Sequence, residues 1–291
     1  MSGPRLIEDL ARSLRDSRRL AALPLLLGLI PAAALIAFDR QMVLWSLGFL
    51  AAGAAVSAAL TWWQALALDL QFLPQLVQLR GIETGSHSPA PPKLLPDGIV
   101  PMGTQRIMLN MVAGEVSGQK WQAGFLECSR RDLNTGSTKA EFLGQVVQLQ
   151  LMGMTPGFVL RPKPPGLSHR SRLGDLYLPE AAEFSVKGTG WVLHMTDHLA
   201  ARSVSLRCKA VLEGLPAPPK GARLLGLVSA EGWLQLICAN RRDLFSLWHG
   251  LFQIATPRAI LQRVFTALCW AELSALALAG FEEKPPENSQ S

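Results

Sequence analysis

The stretch WVLHMTDHLAAR, residues 191–202, carries His194, Asp197 and His198 within five positions. Two histidines four residues apart share one face of a helix, as zinc ligands do in helical metalloprotease sites. The order also resembles the inverted H-x-x-E-H zinc motif, with Asp in place of Glu. These three residues are therefore the candidate metal ligands of the chain.

The same letters have a second interpretation, in which Thr196 or Asp197 caps the start of a helix. His194 then ends a strand and His198 lies in the first helical turn, so the two rings do not share a face. We favour the capped helix, and the sequence predicts no metal and no other cofactor.

Other catalytic patterns do not emerge from the sequence. It has no G-x-S-x-G elbow and no G-x-G-x-x-G, and TGSTKA lacks the first glycine and the GK[ST] order of a P-loop. The four cysteines form no CxxC pair, which is typical of reduced, buried thiols in the cytosol. We predict no catalytic residues and expect a non-catalytic protein, with a divergent metal-dependent enzyme as an alternative.

Two long uncharged runs follow the N-terminal segment. Leu20–Phe38 is nineteen residues without a charge, and Gln41–Leu68 is a second run. Each can cross a bilayer, which takes about 20 residues. Because a cleavable signal peptide has a single short apolar core, the pattern predicts a transmembrane helical hairpin over residues 20–68.

The charges around this hairpin predict its orientation. Five arginines precede the first span, namely Arg5, Arg12, Arg15, Arg18 and Arg19. Almost no charge lies between the spans, so the positive-inside rule places both ends in the cytoplasm. Trp62 and Trp63 are predicted at the cytosolic membrane interface, and Trp45 near the opposite one.

Small residues in the second span predict close helix packing. Gly53 and Ser57 are four residues apart and let a second helix approach. We expect the partner to be the first span of the same chain. A dimer face between two chains is the alternative, and the oligomeric state is left open.

Residues 1–19 have the pattern of an amphipathic helix. Its arginines, Arg12, Arg15, Arg18 and Arg19 among them, could meet anionic lipid at the cytosolic surface. A helix docked on the soluble domain explains the pattern equally well.

Beyond the hairpin the pattern changes to strands. Residues 69–98 are a juxtamembrane segment with a Pro-rich linker, ETGSHSPAPPKLLPDG, and residues 99–281 form the cytosolic domain, followed by a polar tail over 282–291. RIMLNMVAGEV and KWQAGFLECSR predict a hairpin, FLGQVVQLQL a half-buried strand, PGFVLRPKPP an edge strand, EFSVKGTGWVLHM a strand and RLLGLVSAEGWLQLICAN another hairpin. Helices are expected over about 197–215 and 257–281. The fold class is α+β, a mainly antiparallel sheet with segregated helices.

The predicted helix over 257–281 is apolar enough to be a candidate for a third membrane span. Glu272 near its middle would be costly in lipid. We expect a helix packed on the domain or lying against the membrane.

Two basic loops are candidate contacts for a partner or for lipid headgroups. Arg170 and Arg172 lie in LSHRSR, and Arg241 and Arg242 lie in NRRDLF. A solvated loop is the alternative for both. The net charge of +6 is spread along the chain, which argues against a nucleic-acid surface.

The runs AEFSVKGTGWVLHMTDHLAARSV and RLLGLVSAEGWLQLICANRRDLF resemble a bacterial domain family of unknown function. Phe184, Thr196-Asp197, Ala201-Arg202 and Phe245 carry the resemblance, together with EVSGQKWQAGFLECS and KAEFLGQVVQL. It covers roughly residues 100–256. The resemblance implies two N-terminal membrane helices and a cytosolic α+β domain, and it implies no activity or ligand.

These observations predict a non-catalytic, multi-pass protein of the bacterial cytoplasmic (inner) membrane. We expect its cytosolic domain to act as a scaffold, assembly or regulatory subunit of a membrane complex, with a protein partner. The alternative is a module that recognises lipid headgroups or a peptide at the membrane surface.

Overall fold

The computed structural model describes residues 3–38, 43–78, 82–84, 105–131, 136–153, 155–163, 182–230, 232–247 and 256–282. Four helices and nine strands lie in these ranges. In chain order they are α1 (Gly3–Phe38), α2 (Val43–Gln78), β1 (Glu83–Thr84), β2 (Gln105–Val116), β3 (Gln119–Arg131), β4 (Thr138–Gln150), β5 (Phe158–Pro162), β6 (Ala182–Val186), β7 (Trp191–Met195), α3 (Ala201–Gly214), β8 (Arg223–Ala230), β9 (Trp233–Ala239) and α4 (Pro257–Ala279).

The chain divides into two compact units. The first comprises Met1–Leu76 and Ser246–Val264, and the second comprises Val77–Phe245 and Phe265–Ser291. The segment Ser246–Val264, which the sequence analysis assigned to the cytosolic domain, therefore groups with the hairpin.

Helices α1 and α2 of the first unit approach so closely that their backbones are in contact. A Cβ on Gly53 would lie 2.7 Å from the carbonyl oxygen of Pro24, and a Cβ on Gly28 would lie 2.8 Å from that of Phe49. Close by, the Ser57 hydroxyl donates to the Ala21 carbonyl oxygen at 2.5 Å. Gly53 and Ser57 thus pack within one chain, as expected from their spacing.

These contacts fix an antiparallel register between the two helices. Ala21 faces Ser57 and Gly28 lies beside Phe49, so a step toward the N-terminus of α1 matches a step toward the C-terminus of α2. Continued past Ala21, the same register places Leu10 opposite Leu68.

The N-terminal part of α1 uses this register to bury its apolar side. Leu6, Leu10 and Leu14 are buried, and α1 is one continuous helix from Gly3 to Phe38. On α2 the buried residues are Leu68, Phe72, Leu73, Leu76 and Val77. The leucines of residues 1–19 are therefore covered by protein, which differs from a separate helix with its apolar face in lipid.

In the second unit, the strands form one antiparallel sheet in the order β1-β2-β3-β4-β9-β8-β5-β7-β6. The predicted α+β class with an antiparallel sheet is confirmed. The β2–β3 hairpin turns at Ser117 and Gly118, both with positive φ (51° and 77°), as a two-residue hairpin turn requires. The β8–β9 hairpin is also present.

Two strand predictions were wrong. β5 is an interior strand, because it pairs with β8 on one side and β7 on the other. Pro162 is compatible with this position since pairing with β8 ends at Leu160, before the missing N–H is needed. The stretch EFSVKGTGWVLHM is two strands, β6 and β7, joined by a turn with positive φ at Gly188 and Gly190.

Both faces of the sheet are covered by apolar contacts. On one face, a buried cluster crosses six strands: Met108, Met111, Leu126, Cys128, Phe142, Val146, Val159, Val228 and Ile237. On the other face, the Phe158 ring lies 5.5 Å from the Phe281 ring, and the Arg207 guanidinium lies over Phe281 at 5.8 Å. Phe281, just after α4, thus belongs to the core of the second unit.

Three helices are long and apolar enough to cross a membrane: α1 over Arg5–Ala37, α2 and α4. They differ in burial. Only 17% of the apolar window is buried in α1 and in α2, against 50% in α4. Half of the apolar window of α4 is therefore covered by protein, and α4 remains a third candidate span.

The close approach at Gly53 gives a first prediction. Gly53→Ala should lower the melting temperature of the detergent-solubilised protein, because the methyl group meets backbone and overpacking costs about 1–3 kcal/mol. Gly48→Ala is the matched control on the same helix, since a Cβ there meets nothing within 4 Å. It should be neutral or slightly stabilising, as alanine is the better helix former. Equal melting temperatures for the two variants would contradict the packing.

Candidate functional site

His194 lies in a polar cluster on three neighbouring strands. Val159 of β5 and Glu183 of β6 are its cross-strand partners, and Arg161 follows two residues after Val159 on the same face. Arg161 Nε donates to His194 Nε2 at 2.8 Å. Glu183 Oε1 lies 3.4 Å from Arg161 Nη2 and 3.7 Å from His194 Nδ1.

This cluster lowers the pKa of His194. Burial is the main cause, the Arg161 charge adds to it, and the Glu183 carboxylate opposes both. A lowered pKa keeps the imidazole neutral at neutral pH, with Nε2 accepting the bond from Arg161. One of the two ring nitrogens of His194 is thus engaged with a guanidinium.

Asp197 starts the turn that leads into α3. Its Oδ1 accepts hydrogen bonds from the backbone N–H groups of Leu199 and Ala200, at 2.9 and 3.1 Å. The helix itself begins at Ala201, and the preceding Ala200 makes no side-chain cap. The prediction that Thr196 or Asp197 caps the helix was therefore wrong, because the cap position is Ala200 and the Asp197 carboxylate bonds the preceding turn.

His198 lies in this turn and has different neighbours from His194. Its ring stands edge-on to Phe184, 5.6 Å between centroids. Within the described ranges, no three His, Cys, Asp or Glu side chains are grouped as a metal site would need. In the motif of residues 191–202, His194 therefore belongs to a paired strand and Asp197 holds the turn before α3.

Arg241 and Arg242 lie in a loop that the sheet holds in place. Asn240 N donates to the Leu143 carbonyl oxygen at 3.0 Å, and Asp243 accepts from Asn110 Nδ2 at 2.7 Å. The two arginines between these points are exposed. Arg170 and Arg172, the other predicted basic pair, lie outside the described residues.

Three of the four thiols are buried. Burial raises the pKa of Cys238 to about 12 and raises that of Cys208 further, so these thiols stay protonated and unreactive at neutral pH. Cys269 on α4 is half-buried.

The outer surface of the hairpin forms an apolar belt. Its large exposed side chains extend from Leu20 to Ile36 on α1 and from Val43 to Trp63 on α2. The nineteen residues from Leu20 to Phe38 span about 28 Å of helix, close to the hydrocarbon thickness of about 30 Å.

Polar and aromatic groups lie at the ends of this belt. Trp45, Trp62 and Trp63 are 68%, 69% and 66% exposed. On the side of Trp62 and Trp63 the arginines Arg12, Arg15 and Arg19 are exposed and Arg18 is half-buried. Arg12 pairs with Asp9 at 3.7 Å, and Arg15 Nε donates to the Ala11 carbonyl oxygen at 3.3 Å.

A buried carboxylate on α2, just beyond the apolar belt, is not predicted by the sequence. Asp69 is 5% exposed, and it accepts from the Ser246 hydroxyl at 2.7 Å and from Leu247 N at 2.6 Å. Arg263 Nη2 donates to the Ser246 carbonyl oxygen at 2.5 Å. These bonds attach Ser246 and Leu247 to α2, and Arg263 to Ser246. The only signal in the sequence is that Asp69 ends the uncharged run.

The fold and these sites define an α+β protein with an N-terminal apolar helical hairpin. Comparison with known protein families finds no match, and no curated protein matches either. Among solved structures, the chain is similar to the crystal structure of the mycobacterial trehalose monomycolate transport factor A, TtfA. The TM-score is 0.41 with 14% sequence identity, over 74% of this chain and 96% of that one. A likeness at this level does not indicate a function.

Removing the Asp69 carboxylate should loosen the segment it holds. Asp69→Ala leaves the Ser246 hydroxyl and Leu247 N without their acceptor, at a cost of about 1–3 kcal/mol for each buried group. Amide exchange at Leu247 should accelerate and the melting temperature should fall. Asp16→Ala, which removes an exposed carboxylate from α1, is the control and should change neither. Unchanged exchange at Leu247 in Asp69→Ala would contradict the assignment.

The lowered pKa of His194 predicts a loss of stability in acid. The unfolded chain binds a proton first as pH falls, because its histidine keeps a pKa of about 6.5. The stabilisation is complete above that value and is lost as pH falls toward the folded pKa.

His194→Gln should therefore weaken the fall in melting temperature between about pH 7.5 and about pH 5. Glutamine can still accept the bond from Arg161. His198→Gln is the matched comparison, at a histidine whose ring contacts Phe184 and lies outside the bond to Arg161. An identical profile in His194→Gln would show that another group causes the acid dependence.

Proposed function

We propose that the hairpin anchors this protein in the bacterial cytoplasmic membrane and that its α+β domain acts as a scaffold, assembly or regulatory subunit there. The observation that carries the proposal is the apolar belt of the hairpin. Its length matches the hydrocarbon core, and nearly all its large apolar side chains face outward.

The positions of the charges support cytosolic termini. Exposed arginines lie at one end of the belt, beside Trp62 and Trp63. The connection between α1 and α2, residues 39–42, contains only Asp39 and Arg40 as charged residues. An excess of arginine at one end of a membrane span is typical of its cytoplasmic end.

The hairpin is longer than the membrane is thick. At 36 residues each helix measures about 54 Å, so roughly 25 Å lies beyond the hydrocarbon. That part has buried leucines and the Asp69 bonds, and it forms a stalk of protein at the cytosolic end. A stalk of this kind suits a domain that is presented to a membrane complex.

The polar clusters of the domain support a non-catalytic role. His194 is bonded to Arg161, Asp197 to the turn before α3, and Asp243 to Asn110. Each group holds a strand, a turn or a loop. Arg241 and Arg242 remain exposed beside these structural contacts.

This exposed arginine pair favours a second candidate function, recognition of anionic headgroups. Binding of the full chain to anionic vesicles through its domain, lost at higher salt and in Arg241→Ala/Arg242→Ala, would support it.

The scaffold proposal predicts a stoichiometric partner. Purification of the tagged full chain from native membranes in mild detergent should recover a protein that is identified by mass spectrometry. A variant that lacks residues 99–245 and 265–281 but keeps the hairpin and the segment Ser246–Val264 of the same unit is the control, and it should insert in the membrane without the partner. Recovery of the same partner by the hairpin alone, or of none by the full chain, would contradict the proposal.

A further inference from the structure

Basic residues that are scattered along the sequence come together at one end of the sheet. Because β4 is antiparallel to β9, β9 to β8 and β8 to β5, the starts of β4 and β8 lie at the same end as the ends of β9 and β5. The end of β6 lies there too, since β5 and β6 are both antiparallel to β7.

Seven exposed basic residues at this end define what we call the basic end. Each belongs to one of these strands or lies within three residues of it. They are Lys139, Lys163, Lys187, Lys220, Arg223, Arg241 and Arg242. The fold thus concentrates a positive charge that is spread along the sequence.

The strand register arranges the basic end as a row. Lys163 N donates to the Gly190 carbonyl oxygen at 2.8 Å, and Lys187 directly follows the last residue of β6, so these two lysines lie at the same level. Arg223 pairs with Ala239, the last residue of β9, and the arginine pair follows two residues later. Five strand spacings separate β4 from β6, which is about 24 Å at about 4.8 Å each.

The carboxylates nearest to the basic end have other surroundings. Glu141 and Glu213 form ion pairs with basic residues outside this group, at 3.6 and 3.7 Å. Asp243 accepts a hydrogen bond from β2 at 2.7 Å, and Glu127 of β3 is half-buried. In the part of the chain that the structure describes, none of the seven basic side chains forms an ion pair. The basic end is therefore complementary to an anionic surface.

The basic end lacks the apolar anchors that are typical of a protein interface. Among the described residues, none of the large exposed apolar side chains belongs to β4, β5, β6, β8 or β9. Interfaces between proteins are usually centred on aromatic or aliphatic side chains, with charges at the rim. An anionic lipid surface instead attracts basic residues at about fivefold in affinity for each one. A row of cations without apolar neighbours therefore favours a membrane surface over a protein partner.

The anchor strengthens such a contact. Under the proposed function, the hairpin tethers the α+β domain to the membrane, so that binding to the same membrane is intramolecular. A short tether gives an effective concentration in the millimolar range. A free polyanion in the cytosol, such as nucleic acid, has no such advantage.

We propose that the basic end binds the anionic lipid headgroups of the membrane in which the hairpin is anchored. Its lysine and arginine side chains contact lipid phosphates. This inference rests on the proposed function, because the anchor supplies the nearby lipid surface. It also extends the second candidate function, since five further basic residues join Arg241 and Arg242.

Lysine labelling in lipid nanodiscs tests the contact. The full chain is reconstituted in nanodiscs of phosphatidylcholine, with or without phosphatidylglycerol, and acetylation by a neutral reagent is measured by mass spectrometry. Phosphatidylglycerol should slow the acetylation of Lys139, Lys163, Lys187 and Lys220 by at least about fivefold, the effect of one basic residue near an anionic surface. Lys120, at the opposite end of β3, is the internal control and should not change. Equal rates for the four lysines in both nanodiscs would overturn the inference.

A double variant separates this surface from net charge. Arg223→Gln/Arg242→Gln should weaken the contact about twenty-five-fold and remove most of the protection of the four lysines. Lys120→Gln/Arg202→Gln is the matched control, because it removes the same charge at exposed residues outside the basic end. It should keep the wild-type protection. Equal loss of protection in the two variants would reduce the effect to net charge and overturn the inference.

Salt and a second polyanion complete the test. About 1 M salt, where the Debye length is about 3 Å, should abolish the protection, and protection that persists would contradict an electrostatic contact. A short DNA duplex added to phosphatidylcholine nanodiscs at about 0.15 M salt should leave the four lysines unprotected. Protection by DNA equal to that by phosphatidylglycerol would assign the basic end to nucleic acid and overturn the inference.

The failure of this inference and that of the proposed function are distinguishable. If the full chain recovers a protein partner from native membranes but phosphatidylglycerol gives no protection, the scaffold role stands and the lipid contact fails. If the four lysines are protected and no partner is recovered, the lipid contact stands and the scaffold role fails.

Discussion

The backbone contact between α1 and α2 at Gly28 and Gly53 is the constraint on which the first unit depends. Each missing Cβ would lie within 3 Å of a carbonyl oxygen on the other helix. In a bilayer, apolar side chains gain little by leaving lipid, so close packing and hydrogen bonds must hold two helices together. The Ser57 bond to the Ala21 carbonyl oxygen supplies one such bond beside the glycines.

The same register between α1 and α2 therefore continues under two different outer surfaces, one apolar and one charged. Over Leu20–Phe38 the helices bury small residues such as Ala21 and Ala32 and turn their large side chains outward, which is stable in hydrocarbon. Beyond Ala21 the arrangement is reversed: Leu10 and Leu14 are buried while charged side chains face outward. The outer surface of the same pair of helices is apolar at one end and charged at the other.

The parts that could be predicted are those with a strong local pattern. Charge-free runs of membrane length predicted the hairpin, and alternation around Ser117-Gly118 predicted the first β-hairpin. Gly53 and Ser57 were found because helix packing in lipid requires small residues at spacing four.

Contacts between residues far apart in the chain have no local sequence pattern that predicts them. Nothing near Asp69 in the sequence points to Ser246, which is 177 residues away. Proline after FVLR suggested an edge strand, yet the pairing with β8 ends before the proline. The start of α3 was misplaced because Asp197 makes cap-like bonds in a turn that is not yet helical.

Helix α4 differs from α1 and α2 in how much of its apolar surface is buried. By length and hydropathy it is a candidate span like α1 and α2, but half of its apolar window is covered by protein. Its C-terminal part also contacts α3, since a Cβ on Gly214 would lie 3.7 Å from that of Ala277.

The exposed residues of α4 include Gln262 and Thr266 as well as Leu273 and Leu276. The half-buried Glu272 is beside the two leucines, and a carboxylate is costly at the centre of a bilayer. The outer surface of α4 is therefore more polar than the apolar belt of the hairpin.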